Sequence, residues 1–477
     1  MPYRFAFGRP PAVSARGMVA TSQPLATRAG LHVLERGGNA VDAALAAASV
    51  LCVTEPMSTG IGGDCFALVW RDGQLEGLDS AGPAPRSAEP VEPVELHGPR
   101  SVTVPGAVAG WAALAERHGL LGLDACLVAA IEIAERGFAI APRTAESWRA
   151  HGGPDELGPP PRVGEIVRFP ELGATLRRIE SEGPDAFYRG PVAEAIAGAS
   201  WLDEDDLGGF EPRWVEPLRL SYRGTEVAEL PPPTQGVVAL EALGLLERSS
   251  PSLASRIRCA RLALEDGLAR VRDGADVSEL IDPAYLDARR RGEEAPVAEP
   301  AGGTVYLCAV DENRMAVSFI QSLFEAFGSR IVAPGTGVVL QNRGACFSVS
   351  GAVEPGRRPY HTIIPGMLLR DGGLLGPFGV MGGFIQAQAH MQFVSAVVDD
   401  GLDPQAALDR PRFRVDHDVV RLEEGLWERD ADLEPLGYRT ERETDTYSFG
   451  GGQAIFVQGD ALVGGSDPRK DGYAAGI

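Results

Sequence analysis

No cysteine pair in this chain has CxxC spacing. Its six cysteines, Cys52, Cys65, Cys126, Cys259, Cys308 and Cys346, are scattered, mostly in apolar runs. That pattern argues against a zinc site or a disulfide framework and favours buried free thiols. Long apolar runs are missing too. The longest, Ala43 to Val53, falls well short of the roughly 20 residues a membrane-spanning helix needs. Met1 to Arg16 carries Arg4, Arg9 and Arg16 but no apolar signal-peptide core, so a soluble cytoplasmic protein is expected. Positive charge is also scarce: 44 Lys and Arg stand against 66 Asp and Glu, a net charge of −22. Nucleic acid and anionic membrane surfaces are therefore excluded as partners.

Apolar material, by contrast, is ample. Of the 477 residues, 44% are hydrophobic, enough for a sizeable core. The length allows about three domains, although a single α/β unit can be this large. Residues 17–22 read as a strand. Pro24 to Arg36 reads as a helix with Leu25, Ala29 and Val33 on one face, ended by Gly37-Gly38-Asn39. The Ala-rich helix at 40–53 is apolar nearly all round and so is central, with Asp42 near its positive end. Thr59 to Asp64 is a glycine-rich loop before a strand, Cys65 to Trp70. No Gly-Lys-Ser/Thr follows it, so close backbone packing is the better reading than phosphate binding. Further helices are predicted at about 104–118, 123–136, 192–199, 237–247 and 255–272. The acidic run Asp203 to Asp206 reads as a solvated face. Glu293 to Gly302 reads as an exposed connection where a chain end can be created. Beyond Phe324, strands are expected at 337–341, 374–380 and 450–456, and a helix at 386–398.

Chemistry concentrates at Gly302-Gly303-Thr304, which opens an unbroken β-prone run. Residues 311–314 are turn material, and a second run, Met315 to Phe324, returns. Two readings stand open. One is a plain hairpin with a threonine at a strand start. In the other, Thr304 becomes a new N-terminus and carries its own base. A free α-amine titrates near 8, so at pH 7 a useful fraction can take the proton from its own Oγ. Gly303 tolerates the distorted backbone that an N-to-O acyl shift needs. Met381-Gly382-Gly383, between a strand and a helix, can cradle an oxyanion with its N–H groups or can be a simple tight turn.

Longer motifs decide between these readings. GMVATS (17–22), GGNAVDAALAA (37–47) and TEPMSTGIGGDCFALVW (54–70) closely resemble the N-terminal signature of the γ-glutamyltranspeptidase family. VPGAVAGW, GPDAFY, PPPTQG, MGG, PRFRV and the terminal GGSDPRKDGYAAG continue the resemblance in order, over nearly the whole chain. It implies an N-terminal-nucleophile (Ntn) hydrolase fold, α+β with four αββα layers, made as a precursor that cuts itself. By similarity the cut falls between Gly303 and Thr304. Large (1–303) and small (304–477) segments would then form one structural unit. The resemblance also implies roles: Thr304 as nucleophile, Ser322 as the hydroxyl that orients it, and Gly382 and Gly383 as oxyanion donors. No metal or cofactor is implied.

The family's substrate-binding pattern is where the chain departs. The arginine that typical members use for the glutamyl α-carboxylate falls at Ala81. In the N-Q-x-x-D segment that supplies the amine-binding carboxylate, the chain has Asn342-Arg343-Gly344-Ala345-Cys346. The paired serines are His361 and Thr362, and Phe324 stands where an asparagine or acidic residue is usual. The stretch between Phe347 and His361 is short and lacks the typical lid loop. An α-amine wants a carboxylate and an α-carboxylate wants a fixed cation, and both partners are gone. The resemblance thus implies retained chemistry with a changed acyl group. Arg343 either pairs with a nearby carboxylate or, with His361, binds a carboxylate on an acyl group lacking the α-amine. Three alternatives remain: ordinary γ-glutamyl hydrolysis or transfer on glutathione-like substrates, C–C bond hydrolysis, and a non-catalytic scaffold. The implied partners are a small-molecule amide and the two subunits of one precursor, with room for a homo-oligomer.

Overall fold

The computed structural model describes residues 8–89, 94–250, 252–292 and 303–477. The stretch Glu293 to Gly302 lies outside the described residues. Among the described residues, two seven-stranded sheets form the centre. The first runs Tyr473–Gly476, Met18–Thr21, Gly303–Val310, Ala316–Phe324, Asp64–Arg71, Gln74–Ser80 and Arg213–Val215. The second runs Ala12–Ser14, Ala461–Ser466, Gly451–Gln458, Gly373–Met381, Gly366–Arg370, Thr225–Glu229 and Leu218–Tyr222. Every neighbouring pair in both sheets is antiparallel.

The residue pattern of Gly303–Val310 explains its central place. Side chains alternate across a strand. Val305, Leu307 and Ala309 pack into the core under one helical layer, while Tyr306, Cys308 and Val310 pack against the other sheet. A strand covered on both faces has no polar alternation, hence the unbroken apolar run. The neighbouring Asp64–Arg71 splits the same way: Cys65, Ala67 and Val69 to the helices, Phe66, Leu68 and Trp70 to the sheet. Helices Pro24–Glu35, Ala40–Thr54, Ala107–His118 and Leu123–Arg136 build the layer outside the first sheet. Gly236–Glu247, Leu253–Arg270 and Ile385–Val398 build the layer outside the second. The result is the expected αββα stack. Each sheet contains strands from both sides of the Gly303–Thr304 bond, so the two segments share one core.

All 15 residues of Ala40–Thr54 are buried, as an all-apolar helix requires. Asp42 does more than complement the helix dipole. It closes a capping box with Asn39 and accepts from the Leu120 and Leu121 amides.

The structure corrects two local expectations. The acidic run at 203–206 is not simply a solvated face. Asp203 caps the turn Glu204–Gly208, and Asp206 is buried, closing that cap and accepting from the Arg86 backbone and side chain. The strand expected at 337–341 shrinks to Val338–Val339. All six cysteines are buried and free. No helix among the described residues is long and apolar enough to cross a membrane.

Candidate active site

Thr304 sits at the start of its strand, buried and 1% exposed. Opposite it the pairing register breaks: Gly303 faces Phe324, while Val305 faces Gln321. The extra residue on the partner strand is a bulge, a device that re-aims side chains. Here Thr304 Oγ and Ser322 Oγ lie 3.3 Å apart. Both hydroxyls also converge on the Gly303 carbonyl oxygen, at 2.7 Å from Thr304 and 2.8 Å from Ser322. Gln386, in the first turn of Ile385–Val398, donates to Thr304 Oγ at 3.5 Å.

The bulge strains the chain just beyond. Phe324 has φ +78°, an outlier for a bulky side chain that typically costs about 1–3 kcal/mol. The Phe324 amide donates to Ser322 Oγ at 2.7 Å, and the Asn342 side chain accepts from Glu325 N at 2.9 Å. Asn342 also donates to Leu96 O at 2.8 Å. Its amide is therefore committed to holding backbone. The glycine-rich loop presses on the same strand. A Cβ at Gly63 would lie 2.2 Å from Ser322 O, and one at Gly62 equally close to Val339 O. Close backbone packing is thus what that loop does.

Arg343 stands behind Ser322, its side chain fully buried. Nη2 donates to Ser322 Oγ at 3.2 Å and Nη1 to Thr362 Oγ1 at 3.0 Å, with Cys346 Sγ at 3.8 Å. The guanidinium lies 4.5 Å from the Phe324 ring centroid, a cation–π contact. Its Nε has no hydrogen-bond partner among the described residues. Among the described residues no carboxylate comes within ion-pair distance of it, so the simple ion-pair reading of Arg343 does not hold. Burial lowers its pKa from the ordinary value, but a guanidinium stays charged. Burial likewise pushes the Cys346 thiol up to about 11, and it acts as a neutral neighbour.

Two carboxyl groups, Asp64 and Glu325, act on Arg343 from beyond ion-pair distance; Asp64 stands at the end of the glycine-rich loop. Its Oδ1 accepts from Gly82 N and Gly106 N at 3.1 Å and from Gln341 Nε2 at 3.0 Å. Its Oδ2 meets His361 Nε2 at 3.1 Å. Burial raises Asp64 to about 7, with Arg343 opposing the rise. Burial holds His361 far below its ordinary range, followed by repulsion from Arg343 and Arg358. His361 is therefore neutral, donates from Nε2, and stacks edge-on against Phe66. A neutral ring committed to Asp64 through Nε2 supports the site from behind, and its Nδ1 has no hydrogen-bond partner among the described residues.

Thr362 is tied in from the other side. Gln235, in the PPPTQG turn, donates to Thr362 O at 2.6 Å and to Gly383 O at 3.1 Å. Gly382 and Gly383 have φ of +135° and +72°, conformations suited to glycine. A Cβ on Gly382 would meet Ile385 Cγ2 at 2.8 Å. Neither glycine N–H donates to a described residue, which leaves both free to hold an oxyanion. Ala81 directly precedes Gly82, whose amide reaches Asp64. It lines a cavity of about 330 Å³ with Asp79, Arg213 and Arg358. Arg358 brings a cation there, but Asp79 and Asp273 both pair with it.

Sequence reasoning missed Asp64, Gln235, Gln386 and Glu325. The first three sit inside or beside motifs already singled out, but nothing in their spacing says that Gln386 reaches Thr304, that Gln235 ties Thr362 to Gly383, or that Asp64 meets His361. Glu325 follows Phe324. Burial raises it to about 7, with Arg343 and Arg414 opposing.

The gamma-glutamyltranspeptidase family model matches residues 26–477. The chain belongs to that family. The oxamate amidohydrolase proenzyme of Klebsiella pneumoniae is 33% identical, over 97% of this chain and 99% of its own length. The acylase ACY 1 proenzyme of a Pseudomonas strain is 30% identical, over 99% and 96%. A solved cephalosporin acylase from Bacillus halodurans superposes with a TM-score of 0.92 at 40% identity, covering 100% of this chain and 98% of that one. These likenesses put the αββα stack among the Ntn hydrolases and make the chain an acylase- or amidohydrolase-like member of a family of proenzymes.

Proposed function

We propose that this protein is a self-cleaving amidohydrolase with Thr304 as nucleophile, acting on an amide whose acyl group carries a carboxylate. Cleavage between Gly303 and Thr304 yields segments 1–303 and 304–477, which stay together through their shared sheets. The freed α-amine, titrating at about 8, takes the proton from Thr304 Oγ as that oxygen attacks the amide carbonyl. Ser322 orients the nucleophile. The Gly382 and Gly383 N–H groups hold the oxyanion, a device whose loss typically costs about 10²–10³ in rate. The leaving amine departs, and water or an amine resolves the acyl-enzyme.

The observation that carries the substrate reading is Arg343. Its buried charge has no ion-pair partner among the described residues, its Nε is unsatisfied, and it lies one hydroxyl away from the nucleophile. A buried cation of this kind favours an anionic acyl group, because an unpaired charge is expensive to bury. No cation stands at position 81, and Arg358 nearby is already neutralised. The amine-binding carboxylate is replaced by Cys346. A γ-glutamyl head group therefore loses both of its usual partners, whereas a glutaryl-type or oxamate-type group needs only one cation. One relative, the oxamate amidohydrolase proenzyme of Klebsiella pneumoniae, is named for such a carboxylate-bearing amide.

The test offers the cleaved protein γ-glutamyl and glutaryl p-nitroanilides side by side, then repeats with Arg343→Ala. The reading expects preference for the glutaryl compound and loss of that preference in the variant. Preference for the γ-glutamyl compound, or an unchanged ratio in Arg343→Ala, contradicts it.

A further inference from the structure

The groups that would act on the Gly303–Thr304 bond in self-cleavage are those around the Gly303 carbonyl. The Gly303 oxygen accepts from Ser322 Oγ at 2.8 Å and from Thr304 Oγ at 2.7 Å. Neither the Gly382 nor the Gly383 N–H donates to it. The charge that develops on this oxygen during the acyl shift therefore faces Ser322 and not the glycine turn.

A serine hydroxyl has one hydrogen to give and two lone pairs to receive. Ser322 receives from Phe324 N at 2.7 Å and from Arg343 Nη2 at 3.2 Å. Thr304 Oγ also lies 3.3 Å from Ser322, but its shorter contact is to the Gly303 oxygen, which takes its hydrogen. With its lone pairs occupied by N–H donors, Ser322 has its own hydrogen left for the Gly303 carbonyl. Arg343 is itself fixed, by Thr362 Oγ1 at 3.0 Å and by the Phe324 ring.

We infer that Arg343 is a positioning residue for self-cleavage: it locks Ser322 as a hydrogen-bond donor to the scissile carbonyl and places a positive charge behind it. The inference rests on the proposed cut at Gly303–Thr304. In that step Thr304 Oγ bonds to the Gly303 carbonyl carbon. The carbon–nitrogen bond to Thr304 breaks, and the hydroxyl proton ends on the Thr304 nitrogen, leaving an ester. Water then hydrolyses the ester to a Gly303 carboxyl group and a free Thr304 hydroxyl. As charge builds on the carbonyl oxygen, the Arg343–Ser322–carbonyl chain polarises and strengthens. The molecule thus has two oxyanion devices, Ser322 with Arg343 for its own bond and the glycine turn for turnover.

The experiment is a pulse-chase of full-length chain made by cell-free synthesis, with the fragment starting at Thr304 timed by intact mass. Arg343→Met should slow its appearance by roughly 10²-fold, the scale of losing an oxyanion donor. Arg343→Lys, which keeps a charge, should fall in between. In a Ser322→Ala background, adding Arg343→Met should change the rate by less than about twofold, because the group it acts through is gone. Cleavage of Arg343→Met at the wild-type rate overturns the inference. So does equal slowing in both backgrounds, which is what a merely structural role produces. If the wild-type chain itself never cuts, the Gly303–Thr304 reading fails, which is a separate result from a cutting chain that is indifferent to Arg343.

Discussion

Replacing Asp64 by alanine removes the acceptor on which four donors converge, two of them backbone amides, Gly82 N and Gly106 N. Each buried donor left without a partner typically costs about 1–3 kcal/mol. The two amides alone then amount to about 2–6 kcal/mol, and Gln341 and His361 add to it. A total on the order of 5 kcal/mol would consume much of the usual 5–15 kcal/mol of a domain. Asp64→Asn should be much milder. Its amide nitrogen can take the place of Oδ2, which meets only His361. Neutral His361 can then move its hydrogen to the unpartnered Nδ1 and accept at Nε2. Urea unfolding in a Thr304→Ala background, which should stay a single chain if the proposed cut is right, measures both. The pH dependence supplies a second check. Burial raises Asp64 from 3.8 to about 7, on the order of 4 kcal/mol. A raised carboxylate binds its proton more tightly in the folded state. Its contribution is fully present below about pH 4 and is lost as pH rises through about 7. The decline of stability between those values should be shallower in Asp64→Asn than in the parent. An Asp64→Ala chain within about 1 kcal/mol of the parent, or an unchanged pH slope in Asp64→Asn, would refute this account of the site's support.

Other consequences are simpler. Leu307→Ala, in the core between the first sheet and its helices, should lower stability by about 2–5 kcal/mol in the same urea assay. Gly382→Ala should cut turnover steeply, since its Cβ would lie 2.8 Å from Ile385 Cγ2 and its φ of +135° resists a side chain. Self-cleavage of Gly382→Ala should stay within a few-fold of wild type, because the Gly303 carbonyl does not use that turn; equal loss of both activities would contradict the separation. Thr304→Ala should abolish both, and p-nitroanilide hydrolysis surviving in it would remove Thr304 from the nucleophile's role.

Much of this was legible in the residues. The unbroken apolar run after Thr304 announced a strand buried on both faces, and the all-apolar helix at 40–53 announced a central one. The glycine-rich loop reads as packing, and two of its glycines, Gly62 and Gly63, sit where a Cβ would strike backbone. What sequence could not give was convergence. Asp64 ends that loop and looks like ordinary strand-edge polarity, yet it gathers donors from residues 82, 106, 341 and 361. Arg343 looked like a candidate ion pair or ligand. Only the fold shows that it reaches Ser322 and has no carboxylate within ion-pair distance among the described residues. His361 is similar, since its Nε2 is taken by a residue nearly 300 positions away. Asp206 looked solvated because a run of acids usually is, and a cap made in three dimensions buries it.

The central claim is that the Gly303–Thr304 bond cuts itself and makes Thr304 the working nucleophile. Intact-mass measurement of the purified wild-type protein beside Thr304→Ala tests it most directly. The account predicts two fragments from the wild type, one ending at Gly303 and one beginning at Thr304, and a single uncut chain from the variant. A wild-type chain that stays whole through long incubation at pH 8, or a Thr304→Ala chain that still cuts at this bond, would contradict it.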